Sequence, residues 1–282
     1  MAEKKQVPLR LSAKLYDAIA AWAEDDFGAV NVDMMLLQDL EGDSCELEMV
    51  SGGCDRDCHR RRFKTKLIAM GMSGYDRVLV EPSGICDVDE FFDALHEEPL
   101  DRWYEIGNVF AIVDAKLPDN LSEAADYLLA TEAADAGAVL LSRAQEASAV
   151  EMDATVAHLN RALKKVGCSR QLDKEILRSN WFEFTDKDFE QLLHAGYQMS
   201  DYCKETQQED AFDSLFFMHV KMTEEELRAA VQAAFADSNC GHIFRIKGFL
   251  PVGEDWIELN ATRRETVINP ISRGQEILIV IG

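Results

Sequence analysis

Val50 to Phe63, VSGGCDRDCHRRRF, packs two glycines, two cysteines, one histidine, two aspartates and four arginines into fourteen residues. Thiolates and an imidazole are zinc ligands, and Cys54, Cys58 and His59 would supply three positions of a tetrahedral shell. A fourth ligand must come from elsewhere, with Cys45, Cys86 or a carboxylate as candidates. A Gly-Gly turn ahead of a helix start also lets backbone N–H groups approach an anion. A third reading is a phosphatase loop, because Cys54 to Arg60 has CxxxxxR spacing. Asp55 and Asp57 weigh against it, since each would repel a phosphate dianion by on the order of 1 kcal/mol or more. The bland reading is a glycine turn with two incidental thiols.

A second stretch, YDRVLVEPSGICD, sets Glu81 at the end of an apolar run and Gly84 three residues later. A carboxylate there orients a water or a magnesium shell, and a glycine amide touches a phosphate. Glu-Pro-Ser-Gly is equally an ordinary strand-ending turn.

These residues need elements to hold them. ELEMV, RVLVEP, VFAIVDA and AVLLSR are short Val/Ile/Leu runs separated by segments long enough for crossover helices, FFDALHEEPLDRWYEIG and SEAADYLLATEAAD. The pattern predicts a parallel, doubly wound α/β sheet with strands covered on both faces. Ligands in such sheets sit beyond the carboxyl ends of the strands, at Ser51 to His59, Glu81 to Gly84, Asp114, and Ser142 to Gln145. Residues 150–208 read as helical. From Ser214 a small α+β domain is expected: strand SLFFMHVKM, a helix opened by the capping box Thr223/Glu226, then strands in HIFRIKGFLPV, DWIELNA and EILIVIG. At the other end, Gln6 to Leu11 reads as a strand and Ser12 as the cap of a helix over 13–27, followed by an apolar-rich segment at 30–40.

The formal net charge of −23 makes the surface repel nucleic acid and anionic lipid. A local exception runs from Asp55 to Lys66, with six Lys or Arg against two Asp. Seven scattered cysteines suit a reducing compartment, and the longest apolar runs are far too short to span a bilayer, so a cytoplasmic protein without a membrane partner is expected.

Gly-Gly-Cys before a helix, YDRVLVEPSG, a strand ending VDA, a strand ending in a polar tetrad and a terminal EILIVIG together resemble the CobW-like family of metal-handling P-loop GTPases. The resemblance runs from about Phe27 to Gly282. It implies a P-loop GTPase-like α/β domain over 27–208, incomplete at its N-terminus, and a CobW C-terminal α+β domain over 209–282. It also implies delivery of zinc or cobalt to a client metalloprotein or a metal-cofactor pathway protein. The family's CxCC motif is matched at Cys54 alone, with Cys58 displaced by one position, and Glu24 falls where the family has an acidic metal-ligand candidate. Glu81 (catalytic) and Gly84 become remnants of the nucleotide site, and Asp114, Ser142, Arg143 and Gln145 its remaining cofactor-binding positions. No GxxxxGK[ST] occurs, so hydrolysis is expected to be lost, with GTP and magnesium bound only if such a loop is supplied. Ser142-Arg143-Ala144-Gln145 replaces the guanine-reading Asn-Lys-x-Asp, and Gln145 cannot accept two hydrogen bonds as a carboxylate does.

Lys4 to Phe27 is similar to a ribbon-helix-helix module of the Arc type, giving segment 1–26 its own reading. The alternative function is thus a dimeric, metal-sensing DNA regulator with Gln6, Pro8 and Arg10 facing the major groove. The meeting of the two resemblances at Asp26-Phe27-Gly28 raises a gene fusion or a chimeric gene model as a further expectation.

Overall fold

The computed structural model describes residues 21–26, 41–42, 45–51, 56–82, 88–203, 214–241, 243–253, 255–272, 274 and 276–282. They divide into two compact units. Of the described residues, the larger unit holds Ala21, 60–79 and 88–203; the other holds 22–26, 41–42, 45–51, 56–59, 80–82 and those from Ser214 onward.

The α/β character is as expected. Strands β4 (Phe110–Asp114), β5 (Ala138–Ser142) and β6 (Ile176–Leu177) form a parallel sheet in that order. Helices α4 (Glu123–Ala134) and α5 (Ala149–Lys165) connect them. Ser122 caps α4, and Ser148 with Glu151 forms a capping box on α5. Ala130, Ala133 and Ala134 of α4 are fully buried; small side chains there let the helix lie close to Val139, Leu141, Leu159 and Leu163 in one core. Asn160 of α5 shapes the return to β6, donating to the Leu172 carbonyl at 3.0 Å and accepting its N–H at 2.8 Å. β6 corrects the all-helical expectation for 150–208, a region too polar to show a two-residue strand by pattern. β4 corrects another: Ala111 and Val113 are buried, whereas Phe110 and Ile112 are exposed, because β4 is an edge strand covered on one face only. β5, in the middle, is buried on both.

In the same unit, helix α1 (Arg56–Ser73) buries Phe63, Leu67 and Met70, spaced as one helical face. Phe63 stacks at 5.2 Å on Phe91 of α2 (Val88–Leu95), and the Tyr104 hydroxyl donates to the Leu67 carbonyl at 2.7 Å. The expected single crossover over 91–107 is two helices, α2 and α3 (Leu100–Trp103), because Pro99 has no N–H to continue the ladder. A further helix, α6 (Asp186–Leu193), precedes Gly196, whose carbonyl accepts from Val109 N–H at 3.0 Å. A Cβ at Gly137 would lie 2.0 Å from that same oxygen, so the close approach requires glycine.

A three-stranded sheet has the order β2 (Glu46–Ser51), β1 (Ala21–Asp26), β3 (Val78–Pro82). Residues 21–26 were expected to be helical, as part of 13–27, and are a strand; pairing between two neighbours overrides the apolar spacing that suggested a helix. The Arc-type helix therefore does not continue through 21–26, and the rest of that module, including Gln6, Pro8 and Arg10, lies outside the described residues, as does the segment 30–40.

The C-terminal sheet is antiparallel, in the order β10 (Thr266–Ile271), β9 (Asp255–Thr262), β8 (Arg245–Val252), β11 (Ile277–Ile281), β7 (Ser214–Met218). Helix α7 (Glu224–Ala236), opened by the expected Thr223/Glu226 capping box, packs Leu227 and Val231 on Ile246, Leu250, Ile257, Leu259 and Leu278. β10 went unrecognised in the sequence because TVINPI carries a proline and an asparagine. The opposite face buries Phe249, Ile277 and Ile279.

Candidate functional site

The nucleotide-site remnants converge in part. Asp114 and Ser142 are direct partners in the parallel register of β4 and β5, so both strands end together. The Ala115 N–H donates to the Ser142 carbonyl at 2.9 Å, and the Ser142 hydroxyl to the Val113 carbonyl at 3.4 Å. Arg143 follows in the left-handed region at φ 57°, uncommon for a side chain with a Cβ, and its guanidinium pairs with Asp114 Oδ2. Asp114 Oδ1 accepts the Lys116 N–H at 2.9 Å, so both carboxylate oxygens are engaged. Gln145 stands exposed in the short 3-10 turn Ala144–Glu146.

Sequence reasoning missed what holds this loop. Thr155, buried in α5, donates to the Ala115 carbonyl at 2.9 Å and accepts the Leu117 N–H at 3.2 Å. A threonine inside a helix gives no such signal in sequence. Also missed was a polar cluster at the end of α4. Arg170 Nη1 donates to the Ala133 and Ala134 carbonyls at 3.1 and 2.6 Å, satisfying the helix C-terminus. Asp135 accepts the Ser200 N–H at 2.9 Å, and the Tyr202 hydroxyl donates to Asp89 at 2.6 Å. Burial pushes the Asp135 carboxyl up, and burial with the Asp89 carboxylate pushes the Tyr202 phenol up.

Metal candidates are placed by backbone. Cys58 and His59 occupy the first turns of α1, where a helix N-terminus favours a thiolate, and Glu24 lies on β1. Cys54 and Gly84 lie outside the described residues. Glu81 is exposed near the end of β3. β1 pairs with both β2 and β3 and so lies between the strands that lead into Ser51 to His59 and Glu81 to Gly84. Among the described residues, no three His, Cys, Asp or Glu side chains converge to hold a metal ion.

Within the basic stretch, Arg60 and Lys64 form ion pairs. Glu97 takes Arg60 at 2.5 Å and Lys64 at 2.6 Å, with Lys64 the main reason its carboxyl is held below the usual range. Arg61, Arg62 and Lys66 also have partners. The CxxxxxR arginine, Arg60, thus has Glu97 as its partner.

The family model for the CobW/HypB/UreG nucleotide-binding domain matches residues 13–171, from ahead of β1 to the Arg170 that closes α4. The chain belongs to the CobW/HypB/UreG family. Among solved structures, this CobW/HypB/UreG-family chain is similar to the Zn(II)-bound YjiA GTPase from E. coli, at 17% identity, covering 93% of this chain and 84% of that one, with a TM-score of 0.38. A Zn(II)-bound triple mutant of the YjiA GTPase is similar at 14% identity, with the same coverages and a TM-score of 0.34. No curated protein matches. Family membership rests on the family model, which spans the strands that carry Glu24, Glu81, Asp114 and Ser142. Among the described residues, no helix of this family member is long and apolar enough to cross a membrane.

Proposed function

We propose that this CobW/HypB/UreG-family chain handles zinc or cobalt, holding the ion for a client metalloprotein on a scaffold that no longer hydrolyses GTP. The observation that carries the reading is the sheet order β2-β1-β3. It makes the strand bearing Glu24 the neighbour of the strand that leads into Cys54, Cys58 and His59. Two thiolates, an imidazole and a carboxylate suit a tetrahedral borderline ion such as zinc or cobalt. Lost hydrolysis is supported by the absent GxxxxGK[ST] and by Asp114, whose oxygens are both taken by protein groups.

Competition for zinc against a chromophoric chelator tests the metal half. A Cys54→Ser, Cys58→Ser double variant should lose at least about tenfold in affinity, and Glu24→Ala a smaller factor. Unchanged affinity in the double variant would remove these ligands from the reading. Phosphate release from GTP should stay at background in both proteins.

A further inference from the structure

α1 carries Cys58 and His59 in its first turns, and three contacts with segment 88–104 fasten the helix from that end onward. Glu97 takes Arg60 Nη2 on Oε1 at 2.5 Å and Lys64 Nζ on Oε2 at 2.6 Å. Phe63 adds its stack on Phe91, and Leu67, a turn further on, the bond from Tyr104. Of the three, the Glu97 contact begins nearest the ligand positions, since Arg60 is the residue after His59.

Arg60 and Lys64 are four residues apart, so their side chains share one face of α1 on successive turns. A carboxylate that receives one of them on each oxygen resists both rotation of the helix about its axis and slippage along it. The clamp adds little to overall stability, because water screens it: the Glu97 and Arg60 side chains are 43% and 36% exposed. What it supplies is geometry.

Charge is the competing account, and it is the weaker one. Zinc enters as a dication while two thiol protons leave, so the net charge of the site changes little. A cation a turn away therefore alters affinity only slightly at a pH where the thiols start protonated. Lys64 holds the Glu97 carboxyl below its usual range, so the clamp is ionised wherever the thiols can take up a metal.

We propose that Glu97 is a positioning residue for the metal: by clamping Arg60 and Lys64 it fixes the first turns of α1, so that Cys58 and His59 meet the ion in one geometry. It acts through the helix and does not touch the ion. The inference rests on the ligand set of the proposed function.

Cobalt(II) is the probe of geometry, since its visible absorption reports tetrahedral thiolate coordination, and zinc competition on the full chain reads affinity. Glu97→Gln keeps the side-chain length and leaves one acceptor for two cations. It should weaken zinc binding by about three- to tenfold and lower or shift the cobalt bands, while the thermal midpoint of the metal-free chain stays unchanged. Glu97→Asp, which keeps the carboxylate, should recover most of the loss. Glu98→Gln, which breaks only the neighbouring exposed pair with Arg102, should change neither affinity nor bands. If Glu97→Gln does not fold, Lys64→Gln opens the clamp from the helix side and should move both readouts in the same direction. Wild-type affinity and bands in the clamp variant overturn the inference, as does an equal loss in Glu98→Gln, which would make the effect one of surface charge in general. If the Cys54→Ser, Cys58→Ser variant loses affinity in the same titrations, only the role of Glu97 has failed. If it does not, the ligand set has failed and the inference falls with it.

Discussion

Two strands of this protein sit at sheet edges and treat that position differently. β4 closes one side of the parallel sheet with one face sealed: Ala111 and Val113 are buried, and Phe110 and Ile112 face outward. Its carboxyl end is locked to β5 by the Ala115–Ser142 backbone bond and the Asp114–Arg143 pair. β7 closes the antiparallel sheet with four consecutive apolar residues exposed on both faces, and the residue after it, His219, is in the left-handed region at φ 59°. One-sided exposure is what a single covering layer leaves behind. Two-sided exposure leaves β7 held chiefly by its backbone pairing with β11.

The largest test of that contrast removes the same atoms in each sheet. Leu141→Ala in β5, a fully buried site, should cost about 2–5 kcal/mol in urea unfolding, and Leu215→Ala in β7 below about 1 kcal/mol. Comparable costs would mean that β7 is packed in solution.

A smaller effect separates the two regions by pH. Burial pushes the Glu132 carboxyl on α4 up to about 7 from an ordinary 4.5, so the folded chain holds this proton where the unfolded chain releases it. Stability from this group is therefore full below about 4.5 and falls as pH rises through about 7. Glu132→Gln should gain about 1–3 kcal/mol over wild type at pH 8 and nothing at pH 4. Glu226, which caps α7, behaves oppositely: the Thr223 N–H and hydroxyl hold its carboxyl low, so its contribution is present above about 4.5 and is lost on acidification. A pH-independent difference between Glu132→Gln and wild type would place that carboxyl in water.

The smallest effect probes the lock on β4. Asp114→Ala breaks the pair with Arg143 and frees the Lys116 N–H, and should cost about 1–2 kcal/mol. Arg143→Gly loses the pair but relieves a left-handed residue, and should stay within about 0.5 kcal/mol of wild type. The reverse ranking, read by chemical denaturation, would show that the guanidinium does more than hold Asp114.

Much of the fold was legible because its signals are local. The apolar runs of β2, β3, β4 and β5 carry their own strand pattern, and Ser122, Ser148 and Thr223 announce helices through side chains that bond within three residues. At the candidate site, the same pattern put Asp114 and Ser142 at strand ends, and the structure brings them into register. The Arg143–Asp114 pair, Thr155 beneath the loop and Arg170 on α4 were not legible, since their partners lie 29 or more residues away and nothing in the intervening sequence encodes the meeting.

Sequence alone determined most of the strand and helix segments, the family, and the residue types at hand for chemistry, because periodicity, caps and motif order are written within a few residues. Tertiary structure decided that 21–26 is a strand between β2 and β3, that β4 is covered on one side, and that β7 is left as an edge. Those outcomes depend on which neighbour takes each backbone hydrogen bond, and every exposed edge carries the same unsatisfied groups until packing assigns them a partner.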